Sequence, residues 1–414
     1  MRYQAPRGTQ DVLPGESSKW QRLESIARDL LHRYGYQEIR TPTFEETDLF
    51  VRSSGETSEI VTKQMYSFVD KGGRSITLKP EGTAPVMRSV IENSLCPPGT
   101  VSRLYYITPV FRYERPQKGR LREPHQVGME LIGSASPAAD AEIMEATVRF
   151  FNEIGIADAE VQLNSIGREE CRTRYREAIL AHMEGYLKSQ GEEDWERARR
   201  NPLRLLDSKD PDVQAALQGL PPILDYLEDE CKARLDKIER LLADAQIPYR
   251  VVPGIVRGLD YYTETVFEIH SPKLGAQSTL CGGGRYDDLI KDLGGPSTPS
   301  VGVGIGIERA LLVLESLEHP YVAPHVDVFV VLATPEAEAA CFRLARELRD
   351  AGVSVIQDLD AKSMKSQLRQ ADRVGARTAL ILGSDELAKG TVTVRNLKTS
   401  EQSEVPLERV REAV

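Results

Sequence analysis

Residues 257–268 read RGLDYYTETVFE, and four of the first six side chains, Arg257, Asp260, Tyr261 and Tyr262, carry polar atoms that need partners. A core strand has no reason to gather them unless a ligand or a network satisfies them. A second such set lies in TPVFRYERPQKGRLREPHQVGMELIG, residues 108–133. Two strands joined by a long polar loop would put Arg112 and Glu114 on one face, with Phe111 and Tyr113 on the other. Gln126, Gly128 and Glu130 likewise oppose Val127, Met129 and Leu131. The apolar face builds a core. The other offers a guanidinium, an amide and two carboxylates around a glycine that leaves room, and so makes a floor for a ligand. A solvated sheet face is the plain alternative. The loop ERPQKGR adds three cations suited to phosphate.

In LKPEGTAP, residues 78–85, Glu81 and Thr83 share a turn. A carboxylate with a hydroxyl two residues on can hold an ammonium group through charge-assisted hydrogen bonds; a solvated turn with a helix cap is the alternative. CGGGRYDDL (281–289) and GVGIGIERALLVLE (302–315) are glycine-rich. There is no GxxxxGK[ST], and no βαβ unit with a downstream ribose-binding acid, so neither a P-loop nor a dinucleotide fold is indicated. Gly302, Gly304 and Gly306 can let a flat ligand lie against their strand, with Arg309 opening the next helix beside it. No Ser-His-Asp or Cys-His set stands out, and His125 goes with the apolar face as a structural residue. Catalysis here would rest on cations stabilising phosphate charge.

Helices and strands must position these groups. ESSKWQRLESIARDLLHRYGY (16–36) predicts a helix capped by Ser18 and Gln21, with Trp20, Leu23, Ala27, Leu30 and Leu31 inward and Gly35 as its stop. Strand-like, turn-rich sequence runs from 36 to 134, a helix over 137–155, and a charged helical stretch over 168–247 that includes RARRNPLR. Strands return over 250–310, followed by a helix after Glu308. EHPYVAPHVD reads as a linker. Beyond it strands over 326–332, 353–356 and 377–382 alternate with helices over 335–351 and 362–375. The expected organisation is a body over 1–320, with a helical insertion at about 168–247, and a tail over 326–414.

With 414 residues, 40% hydrophobic and 28% charged, the composition fits a soluble globular protein. The opening MRYQAPRGTQDVLPGE lacks the pattern of a signal peptide, and runs such as VDVFVVLA are too short to cross a bilayer. Five cysteines at least 50 residues apart argue for reduced thiols in a cytosolic protein, against a zinc site or disulfide frame. The net charge of −10 argues against a simple nucleic-acid coat. From Val326 onward, however, 13 basic residues nearly balance 14 acidic ones. In AKSMKSQLRQADRVGAR the cations Lys362, Lys365, Arg369, Arg373 and Arg377 step by three or four, with Met364, Leu368 and Ala371 on another face. That row suits RNA phosphates; an ordinary solvated face is the alternative.

These motifs have a family likeness. FRYERPQKGR followed by HQVGME resembles the second signature motif of class II aminoacyl-tRNA synthetases, GIGIER the third, and RTPTFEETDLF the first. VRGLDYYTETVFE with GGGRYDDL narrows the resemblance to the histidyl-tRNA synthetases. The likeness extends through NPLRLLD and the tail. It implies an α+β catalytic domain built on an antiparallel sheet with a helical insertion, plus a C-terminal α/β anticodon-binding domain. It implies activation of L-histidine by ATP with Mg2+, transfer to tRNA(His), a homodimer built through the first motif, a cytoplasmic setting, no membrane and no metal held by protein ligands.

For histidine the resemblance implies Glu130 and Tyr262 at the ring, Glu81, Thr83 and Gln126 at the α-amino group, Tyr261 alongside and Tyr286 closing the pocket. On a regular strand Tyr261 and Tyr262 could not both face it. For ATP it implies Arg112 on the α-phosphate, Glu114 near the adenine, and Arg120 and Arg309 toward the outer phosphates. Arg257, Arg112 and Arg309 would be the catalytic cations. Arg115 and Gln117 would meet the 5′ end of the tRNA, and Arg369 and Arg373 its anticodon end. Two positions depart from the pattern: Pro124 stands where an aromatic ring usually stacks on adenine, and Lys79 stands for a usual Arg. A rival from another class is the non-catalytic, histidine-sensing regulatory subunit of ATP phosphoribosyltransferase. It lacks the tail and often loses motif residues, whereas here the tail is present and Arg112, Arg257 and Arg309 are all in place. A pure tRNA-binding module would not need the ATP set.

Overall fold

A computed structural model describes residues 3–56, 58–117, 119–208, 210–255, 259–272, 279–318, 325–360 and 362–414. The chain divides into two units, Met1–Pro320 and Tyr321–Val414. The first is organised by an eight-stranded sheet. Its strands, in spatial order, are β1 (Gln37–Glu38), β5 (Ser102–Pro109), β6 (His125–Ile132), β11 (Ser300–Gly306), β10 (Thr279–Arg285), β9 (Thr263–His270), β7 (Glu160–Ser165) and β8 (Tyr249–Val251). From β5 to β7 every pairing is antiparallel, and only the edge pairs β1·β5 and β7·β8 are parallel. A small antiparallel sheet of β2 (Phe44–Glu46), β4 (Ser75–Leu78) and β3 (Tyr66–Val69) stands apart.

The period-two alternation in 125–132 fixes which face is buried. Val127, Met129 and Leu131, with Val301, Val303 and Ile305 of β11, enter one apolar core. Helices α1 (Pro14–Arg33), α4 (Pro137–Ile154) and α10 (Ile307–Ser316) cover that face. Each such side chain removed from water contributes about 1.5–3 kcal/mol. The inward residues of α1 are Trp20, Leu23, Ala27, Leu30 and Leu31, matching the periodicity. Its start differs from expectation: Pro14 occupies the first turn, Leu13 is the N-cap, and no Ser18 capping box forms. Proline needs no N–H partner there, so the helix is capped five residues before Ser18.

Among the described residues the turn-rich stretch 36–134 also hides two α-helices, α2 (Thr47–Ser54) and α3 (Thr83–Glu92), and one π-helical turn, Ile60–Gln64. Gly82 and Pro85 suggest a turn, yet Pro85 falls in the first turn of α3, where its missing donor is harmless. Arg112 and Glu114 are not on a strand. β5 ends at Pro109, and they lie in the loop beyond it, held by hydrogen bonds such as Arg112 N to Arg122 O at 3.0 Å.

The charged stretch holds α5 (Glu169–Gln190), α6 (Glu192–Arg200), α7 (Pro211–Ala216) and α8 (Asp229–Asp244). Leu235, Ile238 and Leu242 of α8 join the main core beside α4. Tyr175, Ile179, Met183 and Leu187 of α5 instead join a second core with Tyr106, Tyr261, Tyr262 and Tyr286. α9 (Leu289–Asp292) closes that side.

The second unit has a five-stranded mixed sheet of β13 (Val355–Gln357), β12 (Val328–Leu332), β14 (Thr378–Leu382), β15 (Thr391–Asn396) and β16 (Gln402–Pro406), with α11 (Glu338–Asp350), α12 (Met364–Arg373) and α13 (Ser384–Lys389). Since α12 spans only 364–373, Lys362 and Arg377 lie outside it, and its exposed row is Lys365, Arg369 and Arg373. Met364 is exposed, and buried Gln367 takes the inner position, bonding Leu332 N and O at 2.8 Å each.

Candidate active site

The face of the large sheet opposite the main core is paved by register. Across the strands one row reads Leu104, Glu130, Gly302 and Gly284; the next reads Tyr106, Gly128, Gly304 and Gly282. A carboxylate therefore stands at the edge of a floor with few side chains. Glu130 is fully buried. Its Oε1 accepts from Thr83 Oγ1 at 2.8 Å, and its Oε2 accepts from the Tyr286 hydroxyl. Burial pushes its carboxyl up to about 8, the Tyr286 and Thr83 hydroxyls opposing the rise and the Glu81 charge adding to it.

This has a checkable consequence for stability. The usual carboxyl value is 4.5, so between there and about 8 the folded chain keeps a proton that the unfolded chain has lost. Stability then falls as pH rises, by about 1.4 kcal/mol per pH unit from this group, and levels off above about 8. Glu130→Gln should remove that slope. Denaturant midpoints from pH 5 to 9 should show the variant gaining on the parent up to about pH 8; parallel curves would contradict the buried acid.

Glu81 is also buried, with its carboxylate accepting from Thr83 N at 2.6 Å and Ala84 N at 2.8 Å. It caps α3 without being solvated. Burial raises its pKa, while the two backbone donors and Arg112 oppose the rise. Arg112 Nε donates to Pro80 O at 2.7 Å, which places that guanidinium beside the Glu81 turn. Gln126 lies half-buried next to Gly304, close enough that a methyl there would sit 3.7 Å from its oxygen.

Tyr261, Tyr262 and Tyr286 form one buried cluster, with ring centroids 4.8 Å (261–262), 5.5 Å (261–286) and 6.4 Å (262–286) apart. The expectation that only one of the pair could face the pocket assumed a regular strand. β9 begins after both, and its register against β10 slips between Gly284 and Arg285 around Glu264, whose φ is +28°. That bulge re-aims the chain. Glu130 meets Thr83 and Tyr286, while the Tyr262 ring lies against Gly284, where a Cβ would come within 2.7 Å. Arg257 lies outside the described residues.

Around the loop after β5, Arg115, Gln117 and Arg120 are exposed. Gln117 and Arg120 exchange backbone hydrogen bonds at 3.1 and 2.9 Å. Glu114 lies 4.0 Å from Arg120. Arg309, on α10, donates from Nε to Thr279 O at 3.2 Å, and burial followed by the Arg120 charge lowers its pKa. The structure thus brings Glu81, Thr83, Glu130 and Tyr286 into one hydrogen-bonded network with Tyr261 and Tyr262 packed against Tyr286, with Arg112 beside the Glu81 turn and Gln126 against Gly304 of the same sheet. The Arg120 charge acts on Arg309, and Arg120 also faces Glu114. Arg369 and Arg373 belong to the second unit.

Two residues were not foreseen. The Tyr106 ring fills the space that Gly82 and Gly128 leave, since a Cβ on either would overlap it. Gly128 therefore makes room for a tyrosine. Strand alternation on β5 could have placed Tyr106 on this face. Arg285 is fully buried against Asp140, with Nη2 to Oδ2 at 2.6 Å, and its Nη1 donates to Asp287 at 2.9 Å. It anchors the two neighbours of the Tyr286 backbone, a role hidden in what reads as a glycine-rich run. His125 is structural: its Nδ1 is 2.9 Å from Glu308, and its ring packs edge-on to Trp20. Lys79 is buried, reaching Thr41 O at 3.3 Å, and burial lowers its pKa.

Among the described residues no helix is long and apolar enough to cross a membrane. The profile of the histidyl-tRNA synthetase family matches residues 8–310, and that of an anticodon binding domain matches 327–414. The chain is 46% identical to a histidine–tRNA ligase of Acaryochloris marina over 97% of its length and 93% of the relative's. To the histidine–tRNA ligase of Streptococcus sanguinis it is 45% identical, over 100% and 97%. The apo histidyl-tRNA synthetase of S. aureus superposes with a TM-score of 0.84 at 37% identity, covering 100% of this chain and 99% of that one.

Proposed function

The chain belongs to the histidyl-tRNA synthetase family, and from that premise we propose that it activates L-histidine with ATP and transfers the histidyl group to the 3′ end of tRNA(His). The observation that carries the substrate is the buried Glu130 carboxyl between the Thr83 and Tyr286 hydroxyls. An imidazole presents N–H donors, and a buried acceptor left unpaired by any other side chain penalises that amino acid. The Thr83 and Tyr286 hydroxyls donate to the same carboxyl that would accept the ring N–H, so recognition and orientation of the acceptor are set by one network.

In this reading Tyr262 and Tyr261 wall the ring, Tyr286 closes it, and Glu81, Thr83 and Gln126 receive the α-amino group. ATP enters with Mg2+. Arg112 holds the α-phosphate with Glu114 near the adenine amino group, and Arg120 and Arg309 hold the outer phosphates. Arg257, by resemblance, bridges the histidine carboxylate and the α-phosphorus. The histidine carboxylate attacks that phosphorus in line, the bond to pyrophosphate breaks, and the fixed cations bear the added charge. A ribose hydroxyl of the tRNA then displaces AMP. Arg115 and Gln117, exposed on the loop, suit the 5′ end of that tRNA. Arg369 and Arg373, exposed on α12, suit its anticodon end.

Exchange of pyrophosphate into ATP, run with each of the twenty amino acids, tests the assignment. Histidine alone should support it, and exchange with another amino acid or with none would end it. The regulatory-subunit alternative predicts histidine binding without exchange. The exposed apolar residues Phe44, Phe68 and Val69 on the small sheet favour a homodimer through this region. Sedimentation should give twice the 46.2 kDa chain mass, and a stable monomer at working concentration would refute it. The cysteines, four of them buried and none in a disulfide among the described residues, suit a cytoplasmic setting.

A further inference from the structure

The tyrosine pair sits on a turn that does not hold itself. Tyr262 immediately precedes β9, and the bulge behind it passes through Glu264 at φ +28°, a backbone region that side chains other than glycine seldom occupy. Something must over-determine that conformation. The partners come from the helical insert. Arg172, in the first turn of α5, donates from Nη1 to the Tyr262 carbonyl at 2.6 Å, and its Nη2 is fixed by Glu169 at 2.8 Å. Arg168, just before α5, donates from Nε to Glu264 at 2.7 Å, and Arg234 of α8 is ion-paired with the same carboxylate. Ile166 N donates to Glu264 O at 2.7 Å, and Glu264 N to Gly167 O at 3.1 Å.

The two helices that open and close the insert therefore both hold one short stretch of chain, α5 through Arg172 on the Tyr262 carbonyl and α8 through Arg234 on the Glu264 carboxylate. The Arg172 side chain is only 11% exposed, so its bond to the carbonyl is shielded from water. The insert also packs Tyr175 and Ile179 into the same core as Tyr106, Tyr261, Tyr262 and Tyr286. We infer that Arg172 is a positioning residue for the amino-acid pocket. By holding the Tyr262 carbonyl, with Glu264 clamped by Arg168 and Arg234, it makes the seating of the helical insert set the placement of the tyrosine pair. This rests on the assignment of that pair to histidine made above.

The test is pyrophosphate exchange by the full chain carrying Arg172→Gln or Arg172→Lys, with KM for histidine and for ATP measured separately and the melting temperature recorded. Losing a charged donor to a buried carbonyl should raise the histidine KM about tenfold in Arg172→Gln, with the ATP KM within about twofold. Arg172→Lys, which keeps one donor, should recover most of the loss. Glu264→Gly is the second route: it keeps the left-handed backbone accessible but removes the carboxylate, and should also raise the histidine KM selectively. Histidine KM values unchanged in Arg172→Gln and Glu264→Gly would overturn the inference. So would equal losses in both KM values that track a fall in melting temperature, because that marks a general structural role. A parent chain without histidine-dependent exchange would instead overturn the functional reading, and this inference with it.

Discussion

Alanine in place of Arg112 should lower kcat for histidine-dependent pyrophosphate exchange by about 10²–10³-fold, the loss typical when one preorganised donor to developing charge is removed. The geometry specifies more than a large effect. The Nε of Arg112 is committed to Pro80 O at 2.7 Å, which restrains the plane of the guanidinium while its two terminal nitrogens keep N–H donors for a phosphate. A fork held in advance costs nothing to reorganise when the α-phosphate gains charge. Lysine would keep the charge and lose both the anchor and the fork, so Arg112→Lys should stay at least tenfold below the parent. Because Pro80 leads into the Glu81 turn, the histidine KM is the control. If it stays within about threefold while kcat collapses, Arg112 acts on phosphate. If the histidine KM rises in step and kcat holds, Arg112 only braces the turn, and the assignment fails.

Most of the sheet and its polar face were legible because period-two alternation is a local property. Val127, Met129 and Leu131 against Gln126, Gly128 and Glu130 follow from residue types alone, and the structure puts the first set in the main core. What was not legible depends on partners distant in sequence. Tyr106 fills the gap above Gly128 only because β5 pairs β6 in the register that sets them opposite. Asp140 and Arg285 are 145 residues apart, and nothing in either segment announces a buried ion pair. The Tyr261–Tyr262 puzzle had a local cause that sequence hides: a non-glycine residue at positive φ, held by Arg168 just before α5 and Arg234 of α8. The helix over 83–92 was obscured for the opposite reason, since Gly82 and Pro85 are sound turn signals that happen to fall at a helix start. Register against distant strands also changes the meaning of the glycines on β11, which as a bare sequence all look alike.

Gly302 and Gly304 are two residues apart on that strand and face the same floor, yet a methyl group should be ruinous at one and mild at the other. At Gly302 a Cβ would overlap Glu130 Oε2 and come 2.6 Å from both the Met129 carbonyl and the Tyr286 hydroxyl. The carbonyl is part of the sheet and cannot move aside, so the methyl must displace the carboxylate or spread β6 from β11. Either breaks the arrangement proposed to read imidazole. Gly302→Ala should reduce kcat/KM for histidine by at least about 10²-fold and cost about 1–3 kcal/mol of stability through overpacking. At Gly304 the nearest atom to such a methyl is the Gln126 side-chain oxygen at 3.7 Å, an ordinary contact. Gly304→Ala should leave the histidine KM within about threefold, and any loss should fall on the ATP KM if the nucleotide lies along that strand. Because the two substitutions are chemically identical and share strand and face, a general intolerance of β11 to side chains would make them fail alike. Equal behaviour in the histidine KM would therefore remove Glu130 and Tyr286 from the centre of amino-acid recognition, whereas a hundredfold separation between neighbours follows from the carboxylate and hydroxyl packed over Gly302 and not over Gly304.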